Sequence, residues 1–582
     1  MMKRKEIIRS YVLISLLLLA LCSGARGGQQ DATEPGQVVS VATIHCIGIE
    51  WPIDGDANHN ATCQVEYRRQ GSTTWKKAMP LLRCDTDRQN CLAGSIFFLD
   101  AGTKYEVRLQ LSDPDGGSQS RTFNEQTRPV PAMSTGGRTF HVTPGAGGGD
   151  GSAAAPFLGI AAAEQAAQPG DIFLLHAGDY GVVRLTRSGG PGSYIVWKAA
   201  GDGDAIIRGM AVQSYVWIEG LSFMTDPGSA VLENEHYTRY GITTGLTSLE
   251  RGAASVCVTR CTFRNFHYCI ALESGCNEWY IADNVIEGDN DPVTGGLSGE
   301  GIELNKTRGN VVAYNRITRV ADGVSYPGSN CDIYGNEIHG VSDDGIETDM
   351  GQVNNRVWGN RITNACNNVF SFQPMNRGPW YFIRNQVVMS RGIIWKFVTA
   401  NDRFVALHNT FVFPQLASQY AQCLLLSFSR NNLYIAHGDE SPMLRGQWHP
   451  RKPGEPGLGF TPDWMTDVDY DGFDWGSMTE PFRWEGKAYK DLESFAAAVG
   501  IERHGVRVKK DEIFEAWTLP SSQANAPPVD MVLKKQSSAV DAGQVIPNIN
   551  DDFAGKAPDL GALELGKPLP HYGPRPVALP AR

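Results

Sequence analysis

Short runs of apolar residues alternate with polar residues along the central part of the chain, and one six-residue pattern recurs there. The pattern is apolar-x-x-Asn-x-apolar, and it occurs as IADNVI, VAYNRI, IYGNEI, VWGNRI, FIRNQV and ALHNTF between residues 281 and 411. Its asparagines are 31, 21, 24, 25 and 24 positions apart, namely Asn284, Asn315, Asn336, Asn360, Asn385 and Asn409. One coil of a parallel β-helix takes a similar number of residues, so the spacing predicts a solenoid in which each asparagine side chain bonds to the next.

A second strand is predicted about eight residues after each asparagine, where CIALES, GIELNK, GVSYPG, GIETDM and NVFSFQ align. Because successive side chains of a strand point to opposite faces, one column is predicted to point inward: Ile270, Ile302, Val324, Ile346 and Val369. Two outward columns are predicted beside it, one with Ala271, Glu303, Ser325, Glu347 and Phe370, the other with Glu273, Asn305, Pro327, Asp349 and Phe372. A third outward column precedes the strands: Glu300, Asp322, Asp344 and Asn367.

Acidic side chains collect in these outward columns, most densely in the stretch VSDDGIETDM at 341–350. Successive coils are ~4.8 Å apart. Glu300, Asp322 and Asp344, with Asp343 beside them, should therefore repel one another unless a cation, a shared proton or sugar hydroxyls offset the charge. We expect an acidic groove on the outer face of the solenoid, with at least one carboxyl group that keeps its proton to a higher pH than an isolated aspartate does.

Residues 36–128 show a different pattern, in which short alternating runs are separated by turn residues, as in a small antiparallel sandwich. The pieces VEYRRQGSTTW and LDAGTKYEVRL resemble fibronectin type III domains. The next segment opens with VTPGAGGGDGSAAAPFLGIAAAEQ and resembles the start of pectate-lyase-like right-handed parallel β-helices, where a short helix caps the solenoid. These resemblances imply an all-β chain, with a fibronectin type III-like sandwich, a right-handed single-stranded parallel β-helix over 136–430, a loop-rich extension over 431–545 and a Pro/Gly-rich tail over 546–582.

The first 25 residues combine a basic start, an apolar stretch and small residues near Ala25, a pattern typical of a cleaved signal peptide. This predicts a secreted or periplasmic protein. No other run approaches the ~20 apolar residues of a membrane-spanning helix, and the formal net charge of −11 argues against nucleic acid as a partner. In an oxidising compartment Cys84 with Cys91, or Cys46 with Cys63, could form a disulfide.

Two of the acidic segments, ADGVSYPGSN and GVSDDGIETDMG, resemble polygalacturonase-type glycoside hydrolases, where Asn-Thr-Asp-Gly is followed one coil later by Gly-Asp-Asp-Cys. The resemblance implies a polysaccharide substrate, Asp343 as the general acid, and Asp322 and Asp344 as bases that position water. Inverting hydrolysis needs the acid and the base about 6.5–9.5 Å apart. Predicted contacts to the sugar chain are Glu303, Glu347, Asp349, Arg308 and Arg377. The family's Gly-His-Gly and Arg-Ile-Lys segments do not occur in the coils that follow.

The segment EGIELNKTRGNVVAYN resembles alginate lyase and chondroitinase-B-type β-helices, which contain Asn-Lys-Ser. This alternative implies β-elimination on a uronate glycan, with Lys306 as the base and calcium held by Glu300, Asp322 and Asp344. A third alternative is a non-catalytic solenoid that binds or adheres to glycans. In each case we expect a monomer. Candidates for stacking on sugar rings, or alternatively for core packing, are Tyr326, Phe372, Trp380 and Trp395.

Overall fold

The computed structural model of the 582-residue chain describes residues 31–85, 90–134, 136–226, 244–248, 250–365, 367–373, 378–397, 403–414, 418–419, 428–437, 444–446, 467–484, 486–519 and 528–576. The predicted signal peptide and Arg377 lie outside these ranges. Within them, no helix has the length and apolar character that crossing a membrane requires.

Two antiparallel sheets form the N-terminal part of the molecule. One contains the strands Thr33–Pro35, Val39–Ala42, Ile47–Gly55, Leu82–Asp85 and Asn90–Ile96, and the other contains Thr62–Arg69, Lys76–Lys77, Lys104–Ser112 and Gln119–Gln126. Trp51 and Val107 are among the apolar side chains buried between them, which makes this part a β-sandwich. Its likeness to fibronectin type III domains stays a prediction. Cys46, Cys63 and Cys91 carry free thiols, so the structure contains neither suggested disulfide.

Three parallel sheets run side by side through the rest of the chain and form a parallel β-helix. The first sheet has 14 strands: Thr139–Thr143, Phe157–Leu158, Ile172–Leu175, Ile195–Ala199, Val216–Glu219, Cys257–Thr259, Tyr280–Ala282, Val311–Ala313, Asp332–Tyr334, Asn355–Trp358, Trp380–Ile383, Phe404–Leu407, Phe428–Arg430 and Asp467–Val468. The second sheet has 13 strands: Gly178–Asp179, Ala205–Ile207, Ser222–Met224, Thr262–Arg264, Val285–Glu287, Arg316–Thr318, Glu337–Val341, Arg361–Ala365, Gln386–Val388, Thr410–Phe413, Leu433–Ala436, Gly472–Asp474 and Val506–Arg507.

The third sheet has ten strands: Val182–Arg184, Gly209–Val212, Thr244–Ser248, Tyr268–Ala271, Glu300–Glu303, Asp322–Ser325, Asp344–Glu347, Asn368–Phe372, Ile393–Phe397 and Ser418–Gln419. A small sheet of Leu444–Gly446, Phe482–Trp484 and Lys487–Tyr489 and the helices Ile160–Ala166, Leu492–Val499 and Lys510–Ile513 complete the regular elements of the described residues. In the first of these helices, Ile160 and Ala163 join the solenoid core, as expected for a helix that covers the first coil.

The predicted asparagine ladder is present. Nδ2 of Asn315 donates to Oδ1 of Asn336 at 3.0 Å, and Asn336 donates in the same way to Asn360 at 3.0 Å. The same bond links all six predicted asparagines and continues beyond them to Asn432 and Asp471. These side chains are buried. The ladder therefore supplies hydrogen-bond partners for polar groups that water does not reach.

The residue before each ladder asparagine lies in the turn between the first and second sheets. Its backbone is left-handed, with φ of 57° at Tyr314 and 54° at Arg384. Gly335 and Gly359 occupy the same turn in two other coils, with φ of 65° and 58°, and glycine adopts this conformation without a steric penalty. Position 359 thus has no side chain on the outer surface of its coil.

The predicted inward column is correct for Ile270, Ile302, Val324 and Ile346. In the next coil it shifts by one residue, because Ile346 pairs with Phe370 and not with Val369. Val369 stands opposite Gly345, so no glycine marks the register in that coil.

The outward columns shift with it. Asp344 pairs with Asn368 rather than Asn367, and Glu347 pairs with Ser371 rather than Phe370. The ring of Phe372, predicted to lie outside, is part of the buried core.

Polar contacts attach the sandwich to the first sheet. Oγ of Ser95 donates to Oδ1 of Asn354 at 3.2 Å, and Nδ2 of Asn354 donates to the carbonyl of Ile49 at 3.2 Å. The buried guanidinium of Arg356, paired with Asp332 at 2.5 Å, also reaches Ser95 at 3.1 Å. Because these partners are buried, the two parts pack against each other directly.

Candidate active site

Three consecutive strands of the third sheet supply most of the acidic side chains: Glu300–Glu303, Asp322–Ser325 and Asp344–Glu347. The parallel register places Glu300 beside Asp322, so the first residues of the strands form one outward column. The last residues form a second outward column, as the sequence predicted.

A glycine follows the acidic residue in each strand and fits the close stacking of the coils. A Cβ on Gly323 would lie 2.5 Å from the carbonyl oxygen of Gly345, and a Cβ on Gly301 would lie 2.6 Å from the carbonyl oxygen of Gly323. The sequence acid-Gly-apolar therefore places a carboxyl group outside, an apolar side chain in the core and no side chain between them.

The acidic columns are enclosed, although an open groove was predicted. Glu303, Glu347 and Asp349, expected at the solvent-facing surface of the groove, are all buried. Asp322 and Asp344 are 3% and 0% exposed. Such carboxyl groups lose hydration, so they need protons, cations or hydrogen-bond donors to offset the cost.

A loop and a tyrosine flank the cluster. In the loop before Glu300, the amide of Asn290 donates to Oγ of Ser342 at 3.3 Å, and this hydroxyl donates to the carbonyl of Gly296 at 2.7 Å. The loop thereby packs against the chain just ahead of the aspartates. Beyond the cluster lies Tyr326, whose phenol pKa is raised by burial and by the nearby carboxylates.

Asp344 is bonded to three neighbouring coils. Its backbone N–H donates to Oδ1 of Asp322 at 2.9 Å. Its own Oδ1 accepts from Nδ2 of Asn368 at 2.5 Å, and its Oδ2 lies 3.3 Å from Nζ of Lys396. These contacts fix the Asp344 carboxyl group in one orientation.

Asp343 is the member of the aspartate triad that solvent can reach, since it is partly exposed. Nδ2 of Asn367 donates to its Oδ1 at 2.8 Å. One oxygen each from Asp322, Asp343 and Asp344 lie within 4.8 Å of one another. An inverting acid–base pair has its carboxyl groups about 6.5–9.5 Å apart. The oxygens of the triad are closer together, so the triad does not have the wide separation that was expected.

A second trio shares Asp322. One oxygen each from Glu300, Asp322 and Glu347 lie within 4.8 Å of one another. Within the described part of the chain, Oε2 of Glu300 and Oε2 of Glu347 are buried without a hydrogen-bond partner. A set of carboxylate oxygens suits a hard cation such as calcium. The predicted set had Asp344 in place of Glu347, but Asp344 faces Lys396.

The electrostatics of the cluster favour protonated carboxyl groups. Burial, reinforced by neighbouring carboxylates, raises the pKa of Glu300 to about 8, of Asp344 to about 7 and of Glu347 to about 10. The pKa of Asp322 lies well above its usual value for the same reasons, and that of Asp349 rises to about 6. The cluster therefore holds several protons near neutral pH, as the crowding of charge predicted.

Lys396 is the site residue that the sequence reasoning missed. Burial acts to lower its pKa, but the charges of Asp344 and Asp343 outweigh this and raise it, so the side chain is an ammonium. Lys396 pairs in register with Ser371, which pairs with Glu347. Extending the outward column of Glu347 by two coils in the correct register, through Ser371, would have led to Lys396.

The cationic residues that were predicted lie elsewhere or outside the described residues. Lys306 and Arg308 are exposed in the turn after Glu300–Glu303, and within the described ranges neither forms an ion pair. Arg377 cannot be placed. Of the four candidate stacking rings, Phe372, Trp380 and Trp395 pack in the core, which leaves Tyr326 beside the cluster.

Residues 243–395, which include the acidic cluster, match the family described as right handed beta helix region. No curated protein is significantly similar to the chain. Among solved structures, the Family 28 exopolygalacturonase of Yersinia enterocolitica is similar at 10% identity and a TM-score of 0.33, over 78% of this chain and 96% of that one. A rhamnogalacturonan lyase is similar at 13% identity and a TM-score of 0.28, over 69% and 97%. TM-scores this low carry no argument about the reaction. Together, the family match and the stacked sheets identify the body of this chain as a right-handed parallel β-helix.

Proposed function

We propose that the chain is an exported, monomeric enzyme that hydrolyses a polysaccharide at the acidic cluster. The observation that carries this proposal is the triad of Asp322, Asp343 and Asp344, in which closely spaced oxygens are joined to a fixed ammonium group. Glycoside hydrolysis requires one carboxyl group that donates a proton and one carboxylate that acts on water or sugar. A cluster that is partly protonated at neutral pH contains both forms.

The exposure of the three aspartates assigns their roles. A general acid has to touch the glycosidic oxygen, and Asp343 is the partly exposed member. Asp343 donates its proton to the leaving oxygen as the carbon–oxygen bond breaks. Because the triad is too compact for an inverting pair, the carboxylate of Asp322 or Asp344 adds to the anomeric carbon, and water then displaces it and gives its proton to Asp343, so atoms and charges balance. Lys396 keeps the charge on Asp344 tolerable while this carboxyl group is ionised.

The test is a panel of uronate-containing and neutral polysaccharides, incubated with the wild-type chain and with Asp343→Asn. We expect new reducing ends from at least one substrate with the wild-type chain only, and no conjugated double bond in the ultraviolet spectrum. New reducing ends accompanied by a double-bond absorption from the new non-reducing ends would indicate a lyase. Binding without any new ends would overturn the proposal in favour of a glycan-binding solenoid.

The trio of Glu300, Asp322 and Glu347 favours one second candidate, a calcium-dependent lyase. Its two unpartnered oxygens fit a bound cation, which would neutralise a uronate carboxylate. Lys306 would then have to serve as the base from its exposed turn. This candidate predicts double-bond formation that a chelator abolishes and added calcium restores, whereas the hydrolase should keep its activity in chelator.

A further inference from the structure

A cavity of about 620 Å³ lies between the sandwich, the first sheet of the β-helix and the C-terminal segment, on a different face of the coils from the acidic cluster. This volume is within the range of small-molecule sites. Aromatic residues of both parts line it, with Phe98 from the sandwich and Trp358 from the solenoid, and their rings meet edge to face at 6.3 Å. Tyr334 stacks on Trp358 at 4.4 Å and holds that ring in place.

The absence of a side chain at Gly359 keeps this cavity open. Gly359 lines the cavity, and a Cβ built on it would meet no atom within 4 Å. One coil further on, the same turn position is Arg384, whose guanidinium also lines the space. Arg384 therefore borders the cavity in one coil, and Gly359 leaves open space in the neighbouring coil.

Two cationic residues of the cavity lining form no ion pair among the described residues. Of the three carboxylates that line the cavity, Glu564 accepts two backbone N–H groups, at 2.9 and 3.2 Å, Asp551 accepts the backbone N–H of Asn548 at 2.7 Å, and Asp552 pairs with Lys567 at 3.1 Å. Arg384 donates one N–H to the carbonyl of Ala562 at 3.3 Å and forms no ion pair within the described residues. Lys76, at the exposed rim, likewise has no ion-pair partner there. Burial acts to lower the pKa of Arg384, but a guanidinium stays charged.

We propose that this cavity binds a carboxylated sugar, a uronate residue, with its carboxylate facing Arg384 and Lys76 and its ring against Trp358 and Phe98. An arginine with unused donors fits a carboxylate, and the aromatic wall fits the apolar face of a pyranose ring. The inference does not depend on cleavage at the acidic cluster. It adds a second glycan contact at the junction of the two parts of the molecule.

The test is isothermal titration of the full chain carrying Asp343→Asn, so that turnover does not interfere. The ligands are digalacturonate, the matching neutral disaccharide of galactose, and acetate. We expect digalacturonate to bind and the other two ligands to bind at least about tenfold more weakly, because a charge-assisted hydrogen bond in a partly desolvated site contributes about that factor. Equal binding of the neutral disaccharide or of acetate would overturn the proposal.

Three variants locate the site. Arg384→Gln should weaken digalacturonate binding about tenfold, and Lys76→Ala should weaken it about two- to fivefold. The matched control is Lys77→Ala, since Lys77 is exposed on the same strand but pairs opposite Glu66 and does not line the cavity. If Lys77→Ala weakened binding as much as Lys76→Ala, the proposed location of the binding site would be wrong.

The variant Gly359→Asn keeps Arg384 and Lys76 and adds a side chain that fills part of the cavity. Asn431 occupies the same turn position further along the ladder with φ of 63°, so asparagine fits this backbone. We expect Gly359→Asn to fold and to lose most digalacturonate binding in the cavity. Unchanged binding in a folded Gly359→Asn chain would overturn the proposal even if Arg384→Gln failed to fold.

Discussion

At the scale of single residues, the aspartate triad gives the first prediction. Asp322→Asn, Asp343→Asn and Asp344→Asn are nearly isosteric, and each should reduce the rate on the polysaccharide on the order of 10²-fold or more, because a positioned proton donor contributes about 10²–10⁴-fold. Asp349→Asn is the control. Asp349 accepts from Ser371 and Gln373 and should matter much less. A Lys306→Ala variant without activity, beside a fully active Asp343→Asn, would contradict the hydrolase.

Lys396 gives the second prediction, which concerns pH. The raised pKa of Asp344, about 7, means that this carboxyl group is protonated below that pH and ionised above it, so activity that needs the ionised carboxylate should fall on the acidic side. Lys396 lowers the Asp344 pKa through its charge. Lys396→Met should therefore raise this pKa and move the acidic limb of the rate–pH profile to higher pH. An unmoved limb would mean that Asp344 does not control the rate.

The residues of the site differ in how far the sequence could reveal them. Asp322 and Asp344 follow from the repeat, because any residue at the first strand position stacks on its counterpart in the next coil. Lys396 did not follow, because the sequence alignment ended at the coil of Val369, one coil before Lys396, and that coil was one residue out of register. The burial of Glu347 could not be inferred either, since it depends on side chains of other coils such as Tyr326, which local periodicity does not describe.

At the scale of elements, the asparagine ladder gives the third prediction. Asn360 accepts from the N–H and the side chain of Asn336 and donates to Ile333 and Asn385. Asn360→Ala leaves several buried groups without partners, at about 1–3 kcal/mol each, so we expect a loss of about 2–4 kcal/mol in the free energy of unfolding. Denaturant titration measures it. The exposed Asn124, on a sandwich strand, is the control, with an expected change within about 0.5 kcal/mol.

The ladder was predictable because six matches at nearly constant spacing are a strong repeat signal. Its end was not, because Asp471 replaces asparagine and the chain between Asn432 and Asp471 is longer than one coil. The acceptor there is a carboxylate next to Glu502, whose own pKa is raised by burial and by the charge of Asp471. The predicted pattern stops at Asn409, two steps before this residue, because Ser429 stands where the pattern requires an apolar residue before Asn432.

At the scale of the whole molecule, the buried acids give the fourth prediction. The pKa values of Glu300, Asp344, Glu347 and Glu502 are raised in the folded chain, while carboxyl groups of an unfolded chain titrate near 4. Between about pH 5 and pH 8 the folded state holds more protons than the unfolded state, so the free energy of unfolding falls as pH rises. We expect Tm to be lower at pH 8 than at pH 5 by roughly 2–5 °C.

Thermal scans at both pH values measure this difference. Glu300→Gln should reduce it, because the amide cannot ionise. A chain whose Tm rose from pH 5 to pH 8 in the absence of added metal would contradict the raised pKa values. If calcium binds the trio of Glu300, Asp322 and Glu347, adding it at pH 8 should raise Tm, and the same addition to Glu300→Gln should raise it less.

The asparagine ladder also makes the solenoid directional. Each side-chain amide donates toward the C-terminal end, so a duplicated interior coil would find an acceptor on one side and a donor on the other. At Asp471 an oxygen replaces the amide nitrogen, and an ionised carboxylate has no proton to pass on. A duplicated coil within the ladder would therefore keep side-chain bonds on both of its sides, whereas a coil added after Asp471 would receive no side-chain proton from it. The ladder thus ends at Asp471, although the second sheet continues with one more described strand, Val506–Arg507.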